Sequence, residues 1–289
     1  MAARGFAAVL TRRVLCRDLD GSMWEALPPA SQALVKSELL ASLRDEEQRY
    51  VYNKVGDTVA VLATTVAGEG GWPELLPFLF QCVQAGQDRL LESSLHIFAE
   101  IITMGVPEAL LQHLDSLHAV LGQCMSSQTA EVRLSALRAC SYFIRELEKP
   151  AHRNKFQDLI PHMLRCLEAA LQSGDENDAQ AALEMFIDVG ENQPRFLRKQ
   201  LVAVVSAVLS VVEMQDLMSD TRQLASEFLI TLAEARDKAP GMMRKLPDFA
   251  PRLFQSCVSF LLDIEDEAEW HSALETHENA GEGELYDVG

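Results

Sequence analysis

Apolar or small residues recur along this chain at offsets of 0, +4, +7 and +11. One set is Val51, Val55, Thr58 and Leu62, and a second is Leu91, Leu95, Phe98 and Ile102. Val132, Ala136, Ala139 and Phe143 form a third, and Thr221, Ala225, Phe228 and Leu232 another. Ala179, Leu183 and Phe186 keep the spacing, with Gly190 in the fourth place. Such offsets mark one stripe of an α-helix, so five helices are predicted. Their stripes begin 40, 41, 47 and 42 residues apart. A second phrase recurs between them: Pro77-Phe-Leu-Phe-Gln-Cys82, Ala119-Val-Leu-Gly-Gln-Cys124, Pro161-His-Met-Leu-Arg-Cys166 and Pro251-Arg-Leu-Phe-Gln-Ser256. Its starts are 42, 42 and 90 residues apart, the last gap being two periods. Trp72-Pro73, Phe156 to Leu171 and Leu246 to Leu262 read as such first helices, and no strand-like alternation competes. A period of about 40–47 residues is that of HEAT or armadillo helix pairs. The predicted fold class is all-α, an α-solenoid of antiparallel pairs, and such an array is above all a binding surface.

Turn signals separate the pairs at Gly68 to Pro73, Pro107, Pro150, Pro194 and Pro240, where proline forbids a helix from continuing. Shorter turns, Gln87-Asp88 and Ser173 to Asp178, join the helices within a pair. Arg49, Arg89, Arg133 and Arg222 follow these turns closely. Two roles fit them: hydrogen bonds to the turn of a neighbouring repeat, or a solvated place at a helix start. Residues 1–15 read as a lone second helix. Residues 24–262 read as five full pairs and a final first helix, and 263–289 as an acidic, disordered tail or loop. Stable arrays cap their ends with polar repeats, yet Phe6-Ala-Ala-Val-Leu10 opens on an apolar stripe. The chain therefore reads as part of a longer solenoid or a truncated gene model.

Composition narrows the function. The net charge of −18 argues against nucleic-acid binding, which needs a basic face, and favours basic partners. Ten carboxylates and no lysine or arginine lie after Leu262, so the preceding 262 residues carry only −8. The six cysteines include no CxxC pair, and four of them follow the repeat, as small apolar helix residues in a reducing compartment do. No apolar run reaches the roughly 18 residues of a membrane span, and no signal peptide is apparent, so a soluble intracellular protein is expected. HExxH, GxGxxG, P-loop and GxSxG motifs are absent, and Gly68-Glu-Gly-Gly71 lacks a phosphate-holding lysine. Neither an enzyme, nor a cofactor, nor a metal is indicated.

Several strings go beyond a generic repeat. Phe6-Ala-Ala-Val-Leu-Thr-Arg-Arg-Val-Leu15 resembles the end of the importin-beta N-terminal domain. Trp24, Leu27 and Val35-Lys-Ser-Glu-Leu-Leu40 resemble the W-x-x-L…I-K-x-x-L-L that follows it, and Trp72-Pro-Glu-Leu-Leu76 a later repeat. Ser93-Ser-Leu-His-Ile-Phe98, Gln193-Pro-Arg-Phe-Leu197 and the acidic Leu262-Asp-Ile-Glu-Asp-Glu-Ala-Glu-Trp270 are most similar to the importin-5 (karyopherin beta-3) branch. The resemblance is to the importin-beta (karyopherin-beta) superfamily, whose members are HEAT-repeat nuclear transport receptors.

That resemblance implies binding to Ran-GTP, to cargo with basic signals and to nucleoporin Phe-Gly segments, with shuttling between cytoplasm and nucleus. By position it makes residues 1–15 the second helix of repeat two and 46–65 that of repeat three, leaving an N-terminal fragment without repeat one. The residues it implicates in protein binding are Arg12, Arg13, Glu46, Glu47, Asp57 and Glu92, then Asp263, Glu265, Asp266, Glu267, Glu269 and Trp270 of the acidic segment. Two roles stay open for that segment: an arm that meets a basic patch, or a solubilising tail. The alternative to a transport receptor is a non-transport HEAT scaffold, which would need no Trp24…Lys36 pairing.

Overall fold

The computed structural model describes residues 2–16, 23–66, 71–103 and 108–262, and every regular element among them is helical. The chain forms two compact units, Met1–Leu159 and Ile160–Gly289. The first contains α1 (Ala2–Cys16), α2 (Met23–Ala26), α3 (Pro29–Asp45), α4 (Arg49–Thr65), α5 (Leu75–Gln84) and α6 (Asp88–Thr103). It continues through α7 (Glu108–Leu111), α8 (Leu114–Cys124), α9 (Ala130–Glu146), α10 (Pro150–Arg153) and a 3-10 turn, Asn154–Leu159. The second contains α11 (Ile160–Ser173), α12 (Glu176–Asn192), α13 (Leu201–Glu213), α14 (Ser219–Glu234) and α15 (Phe249–Leu262), with 3-10 turns at Pro194–Gln200 and Met243–Lys245.

The pairs are α3/α4, α5/α6 and α8/α9 in the first unit, and α11/α12 and α13/α14 in the second. In the first unit the second helices form the close-packed layer, α1 on α4, α4 on α6 and α6 on α9. The first helices α3 and α5 meet far less. In the second unit α12 packs on α14 in the same way. The stripes explain this arrangement. Every stripe residue is buried except Leu91, which is half-buried because Leu90 takes the inward place beside it.

Aromatic rings pack between the helices. Phe143 of α9 lies flat against Phe156, centroids 5.9 Å apart and planes 7° off parallel, and both rings are fully buried. Phe186 of α12 meets Phe228 of α14 edge to face at 5.8 Å. Gly190 breaks the apolar stripe of α12 for a steric reason. A Cβ there would stand 3.3 Å from the Phe228 ring and 3.4 Å from Leu232, so the missing side chain lets α12 and α14 approach. Gly190→Val should therefore overpack this joint and cost about 1–3 kcal/mol, measurable by urea denaturation.

The recurring phrase ends on one buried position, filled in turn by Cys82, Cys124, Cys166 and Ser256. Burial pushes the Cys82 thiol up, and burial beside Asp88 pushes that of Cys124 up to about 11. These thiols stay protonated near neutral pH and serve as small apolar fillers.

Three first helices begin later than their apolar pattern implies. Trp72 and Pro73 lie in a turn, closed by Leu75 N–H donating to the Trp72 carbonyl at 3.1 Å, and α5 starts only at Leu75. The segment from Phe156 is a 3-10 turn until Ile160, where α11 starts with Pro161 in its first turn, a place that needs no N–H. Leu246 is extended ahead of Pro247, as the residue before proline prefers, and α15 starts at Phe249. Within the pairs, Gly86 and Gly174 take φ of +66° and +75° just past α5 and α11, a left-handed conformation that stops a helix at little steric cost.

The arginines after the turns divide between roles. Arg89 closes the carbonyl end of α3 in the preceding pair: Nη1 donates to Leu43 O at 2.9 Å and Glu46 O at 2.6 Å, and Nη2 to Arg44 O at 2.6 Å. Arg133 donates to Ser127 O and Gln128 O of its own turn, and buried Arg222 donates to Val212 O at the end of its partner helix. Arg49 does neither; it enters the ion pairs described next.

Candidate partner-binding surface

The second-helix layer of the first unit carries Arg12, Arg13, Asp57 and Glu92, while Glu46 and Glu47 lie in the turn between α3 and α4. Asp57 sits one residue before Thr58 of the buried stripe of α4, so it lies at the edge of the core. Three side chains meet it there: Lys54 of its own helix at 3.2 Å, Arg12 of α1 at 3.3 Å and His96 Nε2 of α6 at 2.9 Å. Burial raises the carboxyl, but the hydrogen bonds from His96 and Lys54 outweigh it and carry Asp57 down to about 2. A depressed pKa means stability present above the unfolded value and lost as pH falls. Wild type should therefore be more stable than Asp57→Asn at neutral pH. The difference should close as pH falls from 3.8 through about 2 in a thermal melt.

Glu92 of α6 is largely covered and held twice. Arg49 Nη2 donates to it at 2.8 Å, and the Tyr52 hydroxyl donates to its other oxygen at 2.8 Å. Burial, then that hydrogen bond, push the Tyr52 phenol well above its usual range. Arg49 also reaches Glu131 of α9 at 3.2 Å. Glu46 accepts an ion pair from Arg4 of α1 at 2.8 Å, and its Oε1 accepts from Gln48 N–H. Glu47 and Arg13 are exposed and make no ion pair among the described residues. Asp263, Glu265, Asp266, Glu267, Glu269 and Trp270 lie outside the described residues.

Thus Asp57 and Glu92 share the second-helix layer, whereas Glu46 caps the end of α3 because α4 starts only at Arg49, and basic side chains of the chain already hold all three. Sequence reasoning missed those partners: Arg4, Lys54, Arg49 and His96. Two signals were available: the i,i+3 spacing of Lys54 and Asp57 on one predicted helix, and Arg49 itself, an arginine directly after a turn and two residues before a buried stripe.

A second cluster joins strings that are far apart in sequence. Lys36 Nζ donates to the Gly71 carbonyl at 3.0 Å and lies 5.6 Å from the Trp24 ring centroid and 5.9 Å from that of Trp72. Both rings are buried, so the ammonium sits between two π faces, which favour a cation. Repeat packing alone does not demand this arrangement. No helix among the described residues is long and apolar enough to cross a membrane.

Paired helices, a close-packed second-helix layer and charged side chains bridging successive repeats define an α-solenoid. The chain belongs to the importin-beta superfamily. Residues 47–207, more than half of it, match the family described as "IPO5-like, TPR repeats", and residues 214–289 match the importin repeat. The observed period exceeds the 34 residues of a TPR unit and is that of HEAT pairs.

Among curated relatives, the probable importin-5 homolog of Dictyostelium discoideum is 27% identical over 244 residues, 84% of this chain and 22% of that protein. Importin-4 of Mus musculus is 26% identical over 255 residues, 87% of this chain and 22% of that protein. Importin subunit beta-3 of Saccharomyces cerevisiae is 22% identical over 249 residues, with 84% and 22% covered. The chain thus spans about a fifth of the length of these relatives. Its fold matches Kap121p bound to RanGTP with a TM-score of 0.78 and 20% identity, covering 98% of this chain and 26% of that one. Kap121p bound to Pho4p matches with a TM-score of 0.80 and 20% identity, covering 98% and 27%.

Proposed function

We propose that this chain is a region of a nuclear import receptor whose second helices bind Ran-GTP and basic cargo. The observation that carries the reading is the pair of carboxylates Asp57 and Glu92 on the second-helix layer, with Glu46 at the end of α3 beside it, each already seating a basic side chain of this importin-family chain. A guanidinium or ammonium group of a partner has the chemistry of Arg4, Arg12, Lys54 and Arg49, and can exchange with them. Arg13, exposed on α1, and Glu47, exposed in the turn that leads into α4, need no such exchange and meet a partner first. Ran-GTP and cargo then compete for one face, so binding of either lowers the affinity for the other by the same factor.

In this reading the acidic segment, Asp263, Glu265, Asp266, Glu267, Glu269 and Trp270, forms a further contact with a basic partner. Grooves between first helices take nucleoporin Phe-Gly segments, and the receptor shuttles between cytoplasm and nucleus. Support comes from family membership and from Kap121p, which has been solved bound to RanGTP, Pho4p and Nup53p.

The test is equilibrium binding of the chain to Ran loaded with GTP and, separately, with GDP, at low and moderate salt. Selective binding to the GTP form, weakened by salt as charge-steered contacts are, is the expected result. Equal binding to both forms, or to neither, overturns the reading in favour of a plain HEAT scaffold.

A further inference from the structure

We infer that Arg49 is an ionic latch that makes α4, α6 and α9 open together. Its guanidinium leaves α4 and donates through Nε and Nη2 to Glu92 of α6, at 3.1 and 2.8 Å. Through Nη1 it donates to Glu131 of α9 at 3.2 Å, a residue 82 positions away and two repeats on. Most repeat arrays are coupled only between nearest neighbours. Here one side chain spans three successive second helices, so loosening either joint costs a contact at the other.

The surrounding chemistry favours a latch over a fixed strut. Arg49 is half-exposed, as is Glu131, while Glu92 is mostly covered and pinned from its other side by Tyr52. One anchor is therefore rigid and the other sits in water. Exposed ion pairs are weak singly and gain from being networked. They also fade with ionic strength, because the screening length falls to a few ångströms in concentrated salt. The hydrophobic contacts between these helices do not fade in this way. The latch thus sets how readily the layer breathes while leaving its fold in place. It stands whether or not the chain carries cargo.

Hydrogen–deuterium exchange of the 289-residue chain tests it, at about 0.05 M and about 0.5 M sodium chloride. Three variants are compared: Arg49→Gln, Glu131→Gln, and Arg44→Gln as the control. Arg44 is exposed and pairs only with adjacent Asp45, so its loss makes the same charge change without the reach. At low salt Arg49→Gln should raise exchange in the second turns of both α6 and α9, the first with intrahelical amide hydrogen bonds, by about threefold, as expected when opening is the rate-setting equilibrium. Glu131→Gln should raise it at α9 alone. High salt should bring wild type to the level of Arg49→Gln and leave that variant unchanged. The inference is overturned if Arg49→Gln matches Arg44→Gln, if it acts at α6 without α9, or if it keeps the full salt response.

Discussion

Phe143→Ala destabilises the chain by about 3–5 kcal/mol, the cost of emptying a fully buried phenylalanine site. The site has little means of collapse. Phe143 ends the buried stripe of α9, and its ring lies flat against fully buried Phe156 in the 3-10 turn. Phe156 in turn is 5.9 Å from the His118 ring of α8. The cavity thus opens where three elements of the first unit meet. Chemical denaturation followed by circular dichroism measures the loss, and Phe143→Leu, which keeps much of the volume, should recover more than half of it.

Arg89→Met costs about 2–3 kcal/mol through a different mechanism. The methionine keeps the aliphatic stem, so little packing is lost. What disappears is the charged donor to three carbonyls at the end of α3, Leu43, Arg44 and Glu46. Helix ends leave such carbonyls without internal partners, and hydrogen bonds to a charged group are the stronger kind. The last turn of α3 should fray, visible as faster amide exchange there beside a lowered denaturation midpoint. Arg133→Met should cost less, because its two carbonyls belong to its own turn, which is more open to water.

These two effects differ in how far the sequence reveals them. Phe143 is legible because a helix stripe needs only the spacing of apolar residues along one helix. For the same reason Val51 to Leu62 and Thr221 to Leu232 fall where the pattern puts them. Helix starts are less legible. Trp72, Phe156 and Leu246 are apolar and precede helices, but apolar residues that pack just ahead of a helix look like its first turn. Proline marks the boundary only to within a turn, since Pro161 lies inside α11 and Pro247 before α15. Gly190 reads as a defect in a stripe until the Phe228 ring of another helix is seen against it.

The candidate surface is legible in its members but not in its pairing. Asp57 and Glu92 occupy the layer that the repeat pattern assigns to second helices, while Glu46, which the pattern puts at the start of α4, instead ends α3. Apart from Lys54, three residues before Asp57 on the same helix, which basic side chain meets each of them depends on the register between repeats, and partners 39 to 82 residues away leave no local trace. Trp24, Lys36 and Trp72 are likewise three separate marks in sequence. Only the fold brings the ammonium between the two rings.

The central claim, that the second-helix layer is the partner surface, is tested most directly by charge reversal at residues the fold does not need. Glu47→Lys places a positive charge in the turn that leads into α4, at the border of that layer, and Glu38→Lys places the same charge on exposed α3. Affinity for Ran-GTP is measured for both by a calorimetric titration. The account predicts that Glu47→Lys weakens binding by about tenfold while Glu38→Lys leaves it unchanged, as like charges opposed across an interface require. Equal losses from the two reversals, or a loss from Glu38→Lys alone, would contradict it.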